Sequence, residues 1–261
     1  MDSMQARLAA ATVPSDKLNC LYTLSYEYGL IEPQRGLQYG RECLQLALEV
    51  GDLHFQINGY NGIANAFETL GHYDSALHYH ACSYQLALKT NIPVKIGLTM
   101  FNMAMCRKEL GQYRSALEGF LKAYRIFEKI PRHNPRNHKY LSEMYMKTGQ
   151  WIEAMRHARL GYTKCLEFGQ EYVANNMKVC EARCLVNSGK LDSAQRILDF
   201  ALAGLRKHTD RISLAAGIHA LGELNLSRSA FRQAASNFRE ELGIHESLKN
   251  AKGTCLLYTS R

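Results

Sequence analysis

The sequence predicts an all-α fold, a right-handed superhelical solenoid of about six helix-turn-helix repeats, from three observations. A turn marker recurs along the chain at steps of 40, 38, 40 and 40 residues. Small residues recur five positions after each marker and seven positions before it. The segments that flank the markers, such as "KIGLTMFNMAMCRKEL" and "YRSALEGFLKAYRIFEKI", carry apolar residues at the spacing of a helix. Alternating patterns typical of β-strands are absent.

Each set of residues that recurs at the same position of successive repeats, here called a column, has a physical reason. A Gly marker ends a helix because Gly adopts the left-handed conformation at low cost. Small residues let two helices approach closely, because the separation of packed helices depends on the side chains at their crossing. The markers are Gly71, Gly111, Gly149, Gly189 and Ser229; the small columns are Ala64, Ala104, Ser142, Ala182 and Gly222 before them, and Ala76, Ala116, Ala154, Ala194 and Ala234 after them.

The repeats follow from these columns in chain order. In the first, Gly36 stands in the Ala column, and Ser25 matches the preceding small column if the turn is one residue shorter. The second and third carry every column, and "IPRHNPRNHKY" shortens the fourth. Lys178 and Glu181 occupy apolar positions of the fifth, and Ser229 replaces Gly in the sixth. Stacked repeats bury a shared core, so we expect one solenoid over 1–250, with repeats at about 17–51, 52–91, 92–131, 132–169, 170–209 and 210–249.

The last residues, "NAKGTCLLYTSR", break the pattern. By register, residues 251–253 open a seventh repeat. "CLLYTS" is what the transposon end used in sequencing libraries encodes, so we expect Cys255–Arg261 to be a non-native read-through. An effector domain fused after the repeats would then lie beyond this sequence.

Composition restricts the classes of function. The 261 residues carry a net charge of +8, which favours acidic partners, but no sharp basic stripe indicates nucleic-acid binding. The eight Cys include no C-x-x-C pair, so we expect them to be buried free thiols of a protein in a reducing compartment. No apolar run is long enough to span a membrane. Because no secretory signal is visible, we expect a cytoplasmic location, or a periplasmic one if a signal is missing from the N-terminus.

The spacing of small, aromatic and Gly residues resembles the tetratricopeptide repeat family over about residues 18–250. The usual unit of that family has about 34 residues, so this chain is similar to the 40-residue variant of bacterial sensor proteins. The resemblance implies a module that binds a protein or peptide. It also implies that such a module is the sensor or regulatory part of a signal-transduction protein.

In such a solenoid the first helices line the concave face, where a partner would bind. Asn amides can bond a peptide backbone, Tyr, Phe and Met can seat apolar anchors, and Lys and Arg can take carboxylates. Polar residues that merely solvate an inner face would look the same, and both interpretations stay open. The predicted groove residues are Tyr22, Tyr26, Asn61, Asn65, Glu68, Phe101, Met105, Lys108, Lys139, Glu143, Arg183, His219 and Glu223.

No catalytic constellation is recognisable, so we expect neither an enzyme nor a cofactor. Phosphate loops and the common hydrolase motifs are missing. His78 and Cys82 lie four apart on one helix with His80 between them, but no second pair completes a tetrahedral set, and no metal site is predicted. Two alternatives to a sensor remain: the regulatory half of a histidine kinase or nucleotide cyclase, and a purely structural assembly scaffold.

Overall fold

A computed structural model describes residues 2–130 and 135–248 of the chain. Within these ranges the protein forms thirteen α-helices and no strand, which confirms the all-α prediction. The helices are α1 Asp2–Ala10, α2 Pro14–Ile31, α3 Pro33–Glu49, α4 Leu53–Thr69, α5 Tyr73–Thr90, α6 Pro93–Glu109, α7 Tyr113–Phe127, α8 Asn137–Lys147, α9 Trp151–Glu167, α10 Glu171–Asn187, α11 Leu191–Leu205, α12 Arg211–Ser227 and α13 Phe231–Ser247.

The chain divides into two compact units, Met1–Pro131 and Arg132–Arg261, here called unit 1 and unit 2. In unit 1, helices α2 to α7 pack successively in chain order, and α1 packs on α2. In unit 2, helices α8 to α13 pack in the same way. Helices α2 to α13 therefore form six consecutive hairpins of the predicted kind. Helix α1 was not part of the predicted repeats, and the boundaries of the repeats stay predictions.

Local sequence explains where several helices begin. Pro14, Pro33 and Pro93 occupy the first turns of α2, α3 and α6, where the missing N–H has no intrahelical partner to lose. The side chain of Asp52 accepts a hydrogen bond from the backbone of α4, and Asp210 does the same at α12. These carboxylates satisfy N–H groups that the helix itself leaves open.

The predicted markers end their helices as expected. Gly71 has a φ of 78°, and its N–H bonds the carbonyl of Glu68, while the N–H of His72 bonds that of Phe67. This pair of bonds is the Schellman motif, which needs a left-handed residue. Ser229 takes the same conformation with a φ of 57°, so the turn of the last hairpin keeps its geometry without Gly.

The small columns lie where the helices of a hairpin cross. The hydroxyl of Ser142 donates to the carbonyl of Ala154 across the fourth hairpin, at 2.8 Å. The hydroxyl of Ser25 donates to the carbonyl of Gly36 across the first hairpin, at 3.0 Å. The same bond joins the same two columns, so the register that assigns Ser25 and Gly36 to them is correct.

Several apolar clusters form the core of each unit. A cluster in unit 2 runs from Val179 to Ile244 and includes the fully buried Leu198, Leu205 and Ile218. Among the described residues, Phe120 of unit 1 is the largest side chain that is fully buried. None of the described helices combines the length and the apolar character that a membrane span requires. The predicted seventh repeat and read-through fall on residues 251–261, outside the described residues.

Candidate functional site

The predicted groove residues lie on the first helices of the hairpins. Those of α2, α4 and α6 form a surface that we call the first-helix face of unit 1: Tyr22, Tyr26, Asn61, Asn65, Glu68, Phe101, Met105 and Lys108. Those of α8, α10 and α12 form the first-helix face of unit 2: Lys139, Glu143, Arg183, His219 and Glu223.

Two tyrosines give the first-helix face of unit 1 its exposed apolar surface. Tyr22 is 37% exposed and Tyr26 is 51% exposed. They stand four residues apart, one turn of α2, so their rings lie on one side of the helix. Partial burial, and then the neighbouring Tyr26, raises the pKa of the Tyr22 hydroxyl, which keeps it a neutral donor. Large side chains of this kind supply contact area together with a hydrogen-bonding tip.

Two amide side chains on α4 differ in their hydrogen bonding. The Oδ1 atom of Asn61 lies 3.0 Å from Nδ1 of His80 on α5, so this side chain already has a partner inside the protein. Asn65 is half-buried, and its amide makes no side-chain hydrogen bond to any described residue. Asn65 is therefore the amide that a ligand could use without breaking an internal bond.

Glu68 belongs to a cluster that the sequence did not reveal. Its Oε1 atom lies 3.0 Å from Nε2 of the buried His80 and accepts a hydrogen bond from Sγ of Cys106 at 3.2 Å. Burial, and then the Glu68 carboxylate, raises the pKa of the Cys106 thiol. The three residues come from α4, α5 and α6 and share no helical spacing, so no pattern within one helix could have indicated them.

The residues predicted on α6 are partly covered. Phe101 packs edge-on against Phe120 of α7, with ring centroids 5.2 Å apart. Lys108 lies 3.1 Å from Glu109. Met105 is half-buried. Phe101 and Met105 thus present edges of apolar side chains to the first-helix face of unit 1, and Lys108 presents a charge with a neighbouring carboxylate.

A paired set of charges dominates the first-helix face of unit 2. Arg183 binds Glu223 with two hydrogen bonds, at 2.7 Å from Nε and 3.0 Å from Nη2. Burial opposes the charge of Arg183, but the Glu223 carboxylate outweighs it and raises the pKa of the guanidinium. Burial would raise the pKa of Glu223, yet the nearby His219 and the charge of Arg183 lower it to about 2.

A signal for this pair was present in the sequence. Arg183 and Glu223 are 40 residues apart, which is one repeat, so they occupy the same column of successive first helices. Glu143 stands in that column one repeat earlier, and its charge also raises the pKa of Arg183. Residues of one column are neighbours when repeats stack, so alternating charges at the repeat spacing predict ion pairs.

His219 lies between two carboxylates. Its Nδ1 is 2.9 Å from Glu241 of α13, and its Nε2 is 3.7 Å from Glu223. These two contacts raise the pKa of His219 to about 9, although burial acts in the opposite direction. Glu241, which the sequence did not single out, is therefore part of the network. Arg183 and His219 both contact Glu223, and His219 also contacts Glu241, so basic and acidic side chains alternate along this network.

A small cavity opens at the other end of this face. Its volume is about 200 Å³, and Lys139, Val173, Asn176 and Asp210 line it together with neighbouring residues of α8, α10 and α12. Lys139 also faces Glu143 at 3.7 Å. Burial disfavours the charged amine, but Glu143 and other negative groups outweigh this and raise the pKa of Lys139 to about 12. The cavity is thus lined by the cation of Lys139, the amide of Asn176 and the apolar side chain of Val173.

The two polar residues at apolar positions of the fifth repeat have partners. Glu181 is buried and accepts hydrogen bonds from Arg159 at 2.8 Å and Lys178 at 2.9 Å. The amine of Lys178 also lies 4.1 Å from the ring centre of Tyr162. Burial raises the pKa of Glu181, but these two cations lower it by more, so the net shift is downward. The departure from the apolar pattern is a paired network and leaves the hairpin intact.

The His219 network predicts a pH-dependent stability. Because folding raises the pKa of His219 from 6.5 to about 9, its stabilising effect is complete below about pH 6.5 and is lost as the pH rises through about 9. Such a shift corresponds to roughly 3 kcal/mol, which solvent screening reduces to about 1 kcal/mol because the side chain is 36% exposed. Urea unfolding at both pH values should show this loss in the wild type and not in His219→Gln.

His72→Gln is the matched control for that measurement. His72 makes no ion pair with a carboxylate among the described residues, so its variant should retain the wild-type difference between the two pH values. An equal loss of pH dependence in both variants would contradict the assignment to His219.

Comparison with known proteins gives a fold and no family. No protein-family model and no curated protein matches the chain. Similar solved structures include aspartyl phosphate phosphatase F from Bacillus subtilis, with a TM-score of 0.77, 19% identity and coverage of 91% of this chain and 62% of that chain. A Rap protein complexed with Competence and Sporulation Factor has a TM-score of 0.76, 19% identity and coverage of 94% and 68%.

A third similar structure is a signal-transduction ATPase of the STAND class with a tetratricopeptide repeat sensor from Pyrococcus horikoshii. Its TM-score is 0.70 at 12% identity, with coverage of 94% of this chain and 39% of that chain. The chain therefore spans less than two thirds of the phosphatase and of the ATPase. At these identities the similarity shows the fold alone, which is a tetratricopeptide-type helical repeat.

Proposed function

We propose that this protein is a binding module whose first-helix face of unit 1 holds an extended segment of a protein or peptide. The observation that carries the proposal is the combination of two exposed tyrosines with an unused amide. Tyr22 and Tyr26 lie on α2, and Asn65 lies on α4, which packs against α2. No described constellation suggests turnover, so we propose binding and not catalysis.

An extended peptide fits the chemistry of this face. Its backbone N–H and C=O groups need partners once they leave water. An Asn side chain offers both a donor and an acceptor, and can satisfy one N–H and one C=O together. Tyr22 and Tyr26 can cover apolar side chains of the ligand, as aromatic residues do at binding hot spots. The nearby Phe101 and Met105 extend the apolar surface.

The preference for an acidic ligand has less local support. The net charge of +8 favours it, but Arg183 and Lys139 already face Glu223 and Glu143. A ligand carboxylate would have to displace an internal one, and the gain would be only the difference between two ion pairs. The net charge of the whole chain is therefore the support for an acidic ligand.

A role as the sensor or regulatory part of a signalling protein extends the proposal. The similar structures that support it are a Rap protein complexed with a Competence and Sporulation Factor and an ATPase with a repeat sensor. A cytoplasmic location is consistent with seven free cysteines among the described residues. The complete reading frame tests this extension, because a fused kinase or cyclase would identify the output and its absence would favour a scaffold.

The test of the groove is the single substitution Asn65→Ala. A library of linear peptides is first screened against the wild-type protein, and the affinity of a selected peptide is then measured by calorimetry. Two hydrogen bonds to a peptide backbone contribute about 1–3 kcal/mol together, so the variant should bind at least about fivefold more weakly. Asn61→Ala is a poorer test, because it also removes the partner of His80.

Gln45→Ala serves as the control. Gln45 is an exposed amide on α3, which is a second helix of its hairpin, and among the described residues it bonds only Glu49 of the same helix. Its variant should bind within about twofold of wild type, as expected for a site without ligand contact. The proposal fails if no linear peptide binds, or if Asn65→Ala and Gln45→Ala weaken binding equally.

A further inference from the structure

Three metal-binding side chains from three helices meet beside the first-helix face of unit 1. Oε1 of Glu68 lies 3.0 Å from Nε2 of His80 and 3.2 Å from Sγ of Cys106. All three ligand atoms lie within 4.8 Å of one another. His80 and Cys106 are buried, whereas the Glu68 side chain is 31% exposed, so solvent reaches the cluster from the side of Glu68.

These separations are close to those of a tetrahedral metal site. Zinc binds nitrogen and oxygen at about 2.0–2.2 Å and sulfur at about 2.3 Å. At tetrahedral angles, two such ligands are roughly 3.3–3.6 Å apart. The two measured separations are a few tenths of an ångström shorter, and rotation of the flexible Glu68 side chain can supply the difference. The third separation, between Nε2 of His80 and Sγ of Cys106, is at most 4.8 Å.

The partner of the other His80 nitrogen also favours a cation at Nε2. A side-chain amide oxygen only accepts hydrogen bonds, so Oδ1 of Asn61 requires that Nδ1 of His80 carries a hydrogen. In the neutral ring, Nε2 then presents its lone pair to the Glu68 carboxylate. Two lone pairs at 3.0 Å repel each other unless a proton or a metal ion lies between them. In zinc sites, the ligating His donates its other N–H to an oxygen in this way.

We propose that Glu68, His80 and Cys106 bind one transition-metal ion of the zinc class, with a fourth position open to solvent or to a ligand. The mixed nitrogen, sulfur and oxygen set suits Zn²⁺ or Co²⁺, whereas Mg²⁺ and Ca²⁺ prefer oxygen ligands alone. Three protein ligands with an open position are typical of zinc sites that bind a further group. Coordination releases the thiol proton of Cys106, and any proton shared by Nε2 of His80 and the Glu68 carboxylate, to solvent.

The site has a mechanical consequence. Glu68 belongs to the second hairpin through α4, His80 to the same hairpin through α5, and Cys106 to the third hairpin through α6. A bound ion therefore ties two successive hairpins together. Metal that binds only the folded protein stabilises it by mass action. Ion binding should raise the unfolding temperature of unit 1.

Cobalt is the probe for the test, because a Co²⁺–thiolate bond gives a charge-transfer absorption band. The full chain, stripped of metal, is titrated with Co²⁺ alone and then with Zn²⁺ in competition. We expect one Co²⁺ per chain with a thiolate band, and displacement of the band by Zn²⁺. Cys106→Ser should lose the band, and Glu68→Gln should lower the affinity for Co²⁺ at least tenfold.

Cys82→Ser is the matched control. Cys82 is partly exposed on α5, and its Sγ lies 3.9 Å from Nε2 of His78, so it forms the alternative His–Cys pair on the same helix. This variant should keep the band at wild-type affinity. The proposal is overturned if the wild type shows no thiolate band at equimolar Co²⁺, or if Cys82→Ser loses the band. Wild-type binding decides the question even if Cys106→Ser fails to fold, and Glu68→Gln retains the thiol.

Discussion

Replacement of Phe120 by Ala should lower the free energy of unfolding by about 3–5 kcal/mol, the range for a Phe removed from a close-packed core. Phe120 has no exposed surface and packs edge-on against Phe101 at 5.2 Å. The substitution removes apolar contacts and leaves a cavity, because the packed helices around it can move only slightly to fill the space. Urea unfolding followed by circular dichroism measures the loss, with the midpoint shifting to lower urea.

Phe200→Ala is the control for this prediction. Phe200 lies on α11 and is 58% exposed, so its ring is mostly in contact with water already. The same chemical change should therefore alter the free energy of unfolding by less than about 1 kcal/mol. A loss below 1 kcal/mol in Phe120→Ala, or equal losses in both variants, would show that α7 does not pack on α6 as described.

Gly36→Ala should destabilise the protein by about 1–3 kcal/mol, although the other five repeats carry Ala in the same column. A Cβ atom at position 36 would lie 2.5 Å from both Cα and N of Gly29. Both atoms belong to the backbone of α2, so α2 and α3 would have to separate. The hydrogen bond from Ser25 to the carbonyl of Gly36 would then lengthen or break. Urea unfolding measures the effect.

The control for Gly36 is Gly243→Ala on α13. A Cβ atom at position 243 would meet no atom within 4 Å, and the position is exposed. Because Ala favours a helix over Gly by about 1 kcal/mol, this variant should be as stable as wild type or slightly more stable. If Gly36→Ala also stabilised the protein, the close crossing of α2 and α3 would be wrong.

The Gly36 position separates what a column pattern can predict from what it cannot. By pattern alone, Ala at position 36 completes the column and improves the helix propensity. The structure predicts the opposite sign, because Gly29 of α2 faces Gly36 and brings the two backbones together. The spacing of small residues indicates that helices cross there, but it does not give the distance between them.

The groove shows the same division. The groove prediction placed Tyr22, Tyr26 and Asn65 on the first helices, where two tyrosines are exposed and the amide is unused by the described residues. It did not show that Asn61 is held by His80. Nor did it show that Arg183 is occupied by Glu223. Arg183, which was predicted to bind a ligand, is thus held in an ion pair inside the protein.

By itself the sequence determined the all-α class, the order of the hairpins and the residues at which the helices turn. These features are periodic, and each is decided by local backbone preference or by the side of a helix on which a residue falls. Only the tertiary structure decided which side chains meet away from the repeat spacing, as in the sets Glu68–His80–Cys106 and His219–Glu241. Such meetings depend on helix separations of a few ångströms, and those separations are set by the packing of many residues together.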